Sequence, residues 1–164
     1  MKKILLLLVV AITFSSCEKD DICSEETTPR LIIEFYDIAN PTILKNVSSL
    51  EVIGAGVTEP LKNFSGVSSI ELPLKITEDI TQYSLKIYSN SSFYANEDKI
   101  QFKYSRKNVY VSRACGYKTI FNLNKFDGVT ITDSDTPDGF WIKDKVVTNT
   151  NVESEIETHV KIYF

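Results

Sequence analysis

The chain has 164 residues, 18 Lys plus Arg against 22 Asp plus Glu, one histidine and three cysteines, and 43% of it is hydrophobic. That is one ordinary domain's worth of chain with enough apolar side chains for a core. An acidic balance without a basic run gives a nucleic-acid role no electrostatic support, and a single histidine leaves little material for acid–base catalysis.

The first residues are Lys2-Lys3, then the apolar run Ile4 to Ile12, then the small pair Ser15-Ser16 ahead of Cys17. A positive start, a short apolar centre and small residues before a cut are the layout of a secretory signal peptide. The run is well short of the roughly 20 residues that span a bilayer, and charged residues follow it, so no lasting transmembrane helix is expected. Phe14-Ser15-Ser16-Cys17 resembles the bacterial lipobox, with Phe14 a looser match than the usual leucine. That resemblance implies cleavage before Cys17 and acylation of it, where a plain signal peptide with an incidental cysteine is the other reading. Each buried methylene contributes about 0.8 kcal/mol, so a cysteine bearing more than one acyl chain would hold the protein to its membrane.

Glu18-Lys19-Asp20-Asp21 suits a solvated tether, and it also resembles the surface-export signal of Bacteroidota lipoproteins. The expected location is therefore the outer membrane, facing the cell surface, with the periplasmic face as the alternative. On these grounds residues 1–16 are leader, 17–28 lipidated cysteine and tether, and 29–164 a single domain. Lys2 and Lys3 leave with the leader, so the 148-residue mature chain carries 16 basic and 22 acidic side chains, a balance of −6.

With lipid on Cys17, two cysteines remain, Cys23 and Cys115, in a compartment where disulfides persist. A Cys23–Cys115 disulfide is the simplest accounting, with two buried thiols that never meet as the alternative. A bridge would close a loop of about 90 residues and stabilise by roughly 4 to 5 kcal/mol before strain.

From Pro29 onward the chain reads as strand after strand. Arg30 to Asp37 is the first, ended by the turn signal Asn40-Pro41. Leu50 to Val57 follows, interrupted by Gly54 and Gly56, which suggest a bulge or a close backbone approach. Ile70, Leu72, Leu74 and Ile76 alternate with polar residues, and Pro73, which cannot donate to a ladder, marks an edge. Tyr83 to Ser89 comes next, then Ile100 to Tyr104 and Asn108 to Ser112, with Ser105-Arg106-Lys107 between them as a hairpin turn. Tyr117 to Leu123, Val129 to Thr132, Phe140 to Thr148 and Thr158 to Phe164 complete the series, with the acidic loop Asp133 to Gly139 before Phe140. Nine or ten short strands, no sustained helical period and no internal repeat predict an all-β fold, an antiparallel β-sandwich of immunoglobulin-like or related topology, or else a small β-barrel.

Candidate chemistry is sparse. On strand alternation His159 falls opposite Val160, Ile162 and Phe164 and is expected at the surface; a Cys115–His159 pair is the sole thiol–imidazole nucleophile the chain could assemble, and oxidation of Cys115 would abolish it. Asp133, Asp135 and Asp138, beside Asp144, offer oxygen ligands of the kind calcium prefers, but Pro137 stands where a further ligand would be. No cofactor is indicated, since Gly54 and Gly56 precede no helix and make no phosphate loop. Tyr83, Tyr88, Tyr94, Tyr104, Tyr110 and Tyr117 either form a platform for a glycan or protein ligand or are ordinary strand formers.

Four segments together resemble a family of small Bacteroidota lipoproteins with a domain of unknown function: Cys17 to Cys23, Pro29 to Asp37, Val111 to Lys118 and His159 to Phe164. The resemblance covers most of the mature chain and implies a lipoprotein with a disulfide-compatible cysteine pair and no catalytic residue. The expected function is a lipid-anchored, non-enzymatic binding or complex-supporting module of the envelope. A glycan-binding accessory protein is the alternative, and an envelope hydrolase has least in its favour.

Overall fold

The computed structural model describes residues 22–24 and 27–164; the expected leader, Cys17 and most of the expected tether lie outside the described residues. Among these there is no helix, and eleven strands form two sheets. The smaller sheet contains β1 (Leu31–Tyr36), β4 (Ser69–Leu72), β9 (Asp144–Val147) and β11 (Val160–Tyr163) in the order β4-β1-β11-β9. The larger runs β10 (Asn151–Val152), β7 (Gly116–Leu123), β6 (Asn96–Ser112), β5 (Ile80–Ile87), β2 (Leu50–Gly54), β3 (Pro60–Phe64), with β8 (Val129–Asp133) also on β6. The sheets are open at their edges, so the fold is an all-β sandwich and not a barrel. Its first and last strands lie side by side in parallel, Ile33 opposite Val160 and Phe35 opposite Ile162; every other strand pair is antiparallel.

The period of two in the sequence becomes the core. β5 buries Thr81, Tyr83, Leu85 and Ile87 while the residues between them face outward. β6 does the same with Ile100, Phe102 and Tyr104, and β1 contributes Leu31, Ile33 and Phe35 from the other sheet. Each such side chain removed from water contributes about 1.5–3 kcal/mol. β1 also buries Ile32 and Tyr36 on its second face, which explains why Leu31 to Tyr36 is almost continuously apolar: it is a central strand covered on both sides.

Trp141 closes one end of the core from the segment between β8 and β9. Its indole N–H donates to Leu85 O at 2.9 Å, on the larger sheet. Its ring packs on Phe35 and Phe164, with centroids 6.3 and 5.6 Å away, on and just after strands of the smaller sheet.

The strand ladders decide three points raised by the sequence. Ser105-Arg106-Lys107 is no turn: β6 runs unbroken through it, and the chain reverses at Arg113 to Cys115 instead. The polar residues there are exposed because this half of β6 stands clear of the core, not because the strand stops. β3, Pro60 to Phe64, has three exposed central residues and therefore no apolar alternation to reveal it; it is an edge strand on β2. Pro73 lies just past the end of β4, and β4 is indeed at the edge of its sheet.

β7 and β8 lie one after the other along β6. Lys103 O accepts from Asn124 N and Lys103 N donates to Gly128 O, so the ladder closes across a short excursion at Lys125 to Asp127. The excursion requires glycine at 128, where a Cβ would sit 2.3 Å from Asn124 O.

Candidate functional site

The outer half of β6 and the start of β7 form a hairpin that projects beyond the sandwich. Arg106 faces Phe121 in the ladder and Tyr110 faces Tyr117; from Ser105 to Lys118 the side chains are exposed or half-buried, whereas Tyr104, Thr119 and Phe121 are buried. Cys23 is joined to Cys115 at the reversal, with Cα atoms 4.8 Å apart, so the beginning of the chain is stapled to the hairpin tip. Further along, Thr119 N donates to Thr28 Oγ1 at 3.0 Å, and the chain then enters the core at Leu31. A cleft of about 220 Å³ lined by Cys23, Thr27, Thr28, Val111, Cys115, Tyr117 and Lys118 separates the two strands of chain.

Beside this stalk lies a wider cleft of about 410 Å³ lined by Thr27, Thr28, Pro29, Arg30, Glu155 and Ile156. Arg30 holds it together, donating through Nε and Nη2 to both oxygens of Glu155 at 2.8 and 2.6 Å and pairing with Glu71 at 2.6 Å. The guanidinium bonds hold Glu155 below the usual carboxylate range. All three groups are solvent-exposed, so the triad orients the chain more than it stabilises it.

His159 is not at the surface. It is 1% exposed, and β11 begins only at Val160, so the alternation that placed it outside does not extend back to it. Its Nδ1 accepts from Ile32 N at 3.0 Å and its own N–H donates to Ile32 O at 3.1 Å. An accepting Nδ1 puts the proton of the neutral ring on Nε2. Burial pushes its pKa down, against smaller upward pulls from Glu157 and the Asn151 backbone. The Cys115–His159 nucleophile does not exist: the sulfur is in a disulfide and the imidazole belongs to the smaller sheet.

Nor does the structure assemble the calcium candidate. Asp133 folds its own turn, accepting from Ser134 N at 2.7 Å and Gly139 N at 3.1 Å, while Asp135 pairs with Lys99 at 2.5 Å. Among the described residues no group of three His, Cys, Asp or Glu side chains could hold a metal ion.

The loop does cover a carboxylate the sequence did not single out. Asp98, on β6 opposite Asp133, is fully buried; Oδ2 accepts from Ile142 N at 2.7 Å and Oδ1 has no hydrogen-bond partner. Burial pushes its pKa up to about 6; the Ile142 and Trp141 amides pull the other way, and Asp133 and Asp138 add to the rise. Asp98 thus ties the Trp141 segment to β6.

Asp98 and His159 give opposite pH dependences. A carboxyl with a raised folded pKa contributes stability below about pH 4 that is lost as pH rises through about 6, whereas a histidine with a lowered folded pKa contributes stability that is lost as pH falls below about 6.5. His159→Gln is therefore expected to gain stability on acidification from about pH 6.5 to 4.5, and Asp98→Asn to lose it over the same interval. Urea unfolding midpoints at several pH values read this, and identical pH profiles in both variants and the parent would refute it.

The tyrosines divide. Tyr83 and Tyr104 are core residues; the Tyr104 hydroxyl bonds Thr81 Oγ1 at 2.6 Å and donates to Lys75 O at 2.9 Å. Four of the exposed aromatics form two edge-on pairs, Tyr110–Tyr117 on the stapled hairpin, centroids 5.4 Å apart, and Phe93–Tyr94 in the β5–β6 loop, 4.9 Å apart, while Tyr88, Phe126 and Phe140 are exposed elsewhere. β6 joins the two pairs, so they stand at opposite ends of its 17 residues. Tyr88, at a φ of 51°, turns the chain into that second loop.

The family of unknown function DUF6452 matches residues 49–164. This chain belongs to the DUF6452 family. No curated protein and no solved structure matches it significantly. The DUF6452 span holds β2 to β11 and Cys115, whereas β1 and Cys23 precede it. Yet β1 lies between β4 and β11, so in this DUF6452 protein the smaller sheet is complete only with residues ahead of the matched span.

Proposed function

We propose that this DUF6452 protein is a lipid-anchored envelope protein of Bacteroidota, held by an acylated Cys17 in the outer membrane and facing the cell surface, where it serves as a non-enzymatic binding or complex-supporting module. The observation that supports it most is the staple. Cys23, six residues after the lipobox-like Phe14-Ser15-Ser16-Cys17, is bonded to the tip of a projecting hairpin, an arrangement suited to a domain that hangs from its first residues.

Cys17→Ser is the decisive variant. In the native host the parent is expected to incorporate labelled palmitate and to fractionate with membranes; Cys17→Ser is expected to do neither. A parent that stays soluble would end the lipoprotein reading. An amine reagent that cannot cross membranes is expected to label the parent in intact cells, and labelling confined to lysed cells would move the protein to the periplasmic face.

The glycan-binding alternative draws on Phe93 and Tyr94, 83% and 68% exposed at the end of β6 away from the staple. One edge-on pair makes a small stacking surface, which favours the broader binding role over a dedicated carbohydrate platform.

A further inference from the structure

We infer that the tip of the β6–β7 hairpin is a membrane-seating surface, in which Tyr110, Tyr117 and Ile22 rest at the headgroup level of the bilayer and the hairpin holds the sandwich off the lipid. The inference rests on acylation at Cys17 and extends it. Cys23 is six positions after Cys17, so the staple lies within about 20 Å of the acylated residue however the chain between them runs. Without the disulfide, the first fixed residues would be Thr28 and Pro29, with up to about 40 Å of chain before them and no preferred orientation. The staple therefore makes the hairpin tip the part of the fold nearest the lipid. From Phe121 to Gly116 the hairpin carries that tip roughly 15 Å past the core, at about 3.3 Å per residue.

The side chains there suit the interface. Ile22 is 82% and Tyr117 71% exposed, and Tyr110 stacks edge-on against Tyr117 across the ladder. Tyrosine presents an apolar ring with a polar tip and concentrates where a membrane meets water. Residues 104 to 121 contain no acid, and Lys107 and Arg113 are exposed there. Within five residues of Cys23 along the chain the sequence carries Glu18, Asp20, Asp21, Glu25 and Glu26 against Lys19, a charge that offsets those cations. Seating consequently depends on aromatic contact and little on anionic lipid, and it should resist salt.

Brominated lipids test this. The acylated protein, carrying a tryptophan as Tyr117→Trp, is reconstituted into phosphatidylcholine vesicles with and without brominated acyl chains; Trp141 is buried and serves as the constant background. A ring held at the interface, within roughly 5–10 Å of the acyl boundary, is expected to lose about half its emission to the bromines. Phe93→Trp, at the other end of β6, should lose almost none. Opening the staple with Cys23→Ser and Cys115→Ser should abolish the quenching at Tyr117→Trp while the vesicles still carry the protein. Vesicle flotation reads the anchor separately. Protein that floats with Tyr117→Trp quenched no more than Phe93→Trp overturns the seating alone, whereas protein that does not float overturns the anchor and the seating with it.

Discussion

Replacing Trp141 by alanine is expected to lower the free energy of unfolding by about 3–5 kcal/mol, the range for removing a large buried aromatic. Trp141 belongs to no strand, yet it contacts both sheets: the indole N–H is bonded to Leu85 O, and the ring lies against Phe35 and Phe164. Alanine removes those ring contacts and leaves Leu85 O without its donor in a dry place, so a lost-contact cost and an unpaired-acceptor cost add. The neighbouring tie from Ile142 N to Asp98 would also lose its packing support. For a domain of this size the melting temperature should drop by about 10 °C. Trp141→Phe keeps most of the volume and should cost markedly less. Urea or thermal unfolding of the three proteins measures this, and a Trp141→Ala loss below about 1 kcal/mol would mean that the segment is an independent flap.

Opening the Cys23–Cys115 bond is expected to cost up to about 4 to 5 kcal/mol, because it restores the freedom of a long loop to the unfolded chain. The bond joins residues 92 apart in sequence, and Cys23 precedes β1, so no strand pairing is broken when it opens. The folded core should therefore be unchanged: the Trp141 near-ultraviolet signal should match the parent in Cys23→Ser, Cys115→Ser protein, with a lower unfolding midpoint. Equal midpoints with and without reductant would show that the staple orients the hairpin and adds no stability. Altered Trp141 signals would show instead that the staple shapes the core.

Much of this architecture is legible in the residues. The alternation of Ile70 and Leu72, or of Tyr83, Leu85 and Ile87, reports directly which face meets the core, because side chains on a strand point to opposite faces in turn. The continuous apolar stretch of β1 reports a strand covered on both faces. Cysteine arithmetic favours pairing Cys23 with Cys115 as the simplest accounting, and the structure joins them.

Other features leave no local trace. β3 and the outer half of β6 are held by backbone hydrogen bonds to a neighbour, and such bonds leave exposed side chains free to be polar, so the sequence reads as turn where the chain is extended. His159 and Asp98 are a different case: nothing in a single polar residue says whether the tertiary fold will bury it, and both are buried because distant amides, Ile32 N and Ile142 N, are brought to meet them. The acids at 133, 135 and 138 are a weak calcium candidate by residue type, and the fold spends Asp133 on turn amides and Asp135 on Lys99.

By itself, then, the sequence determined the strand-rich class and the lipobox-like resemblance at Cys17, both of which depend on residue type and near-neighbour spacing. Tertiary structure alone decided that β1 and β11 lie parallel, that β6 outgrows the core, and that the first cysteine of the domain lands on the tip of the projecting hairpin. The first and last of these are pairings between residues scores of positions apart, and local propensity carries no information about which distant partner a strand or a thiol will meet.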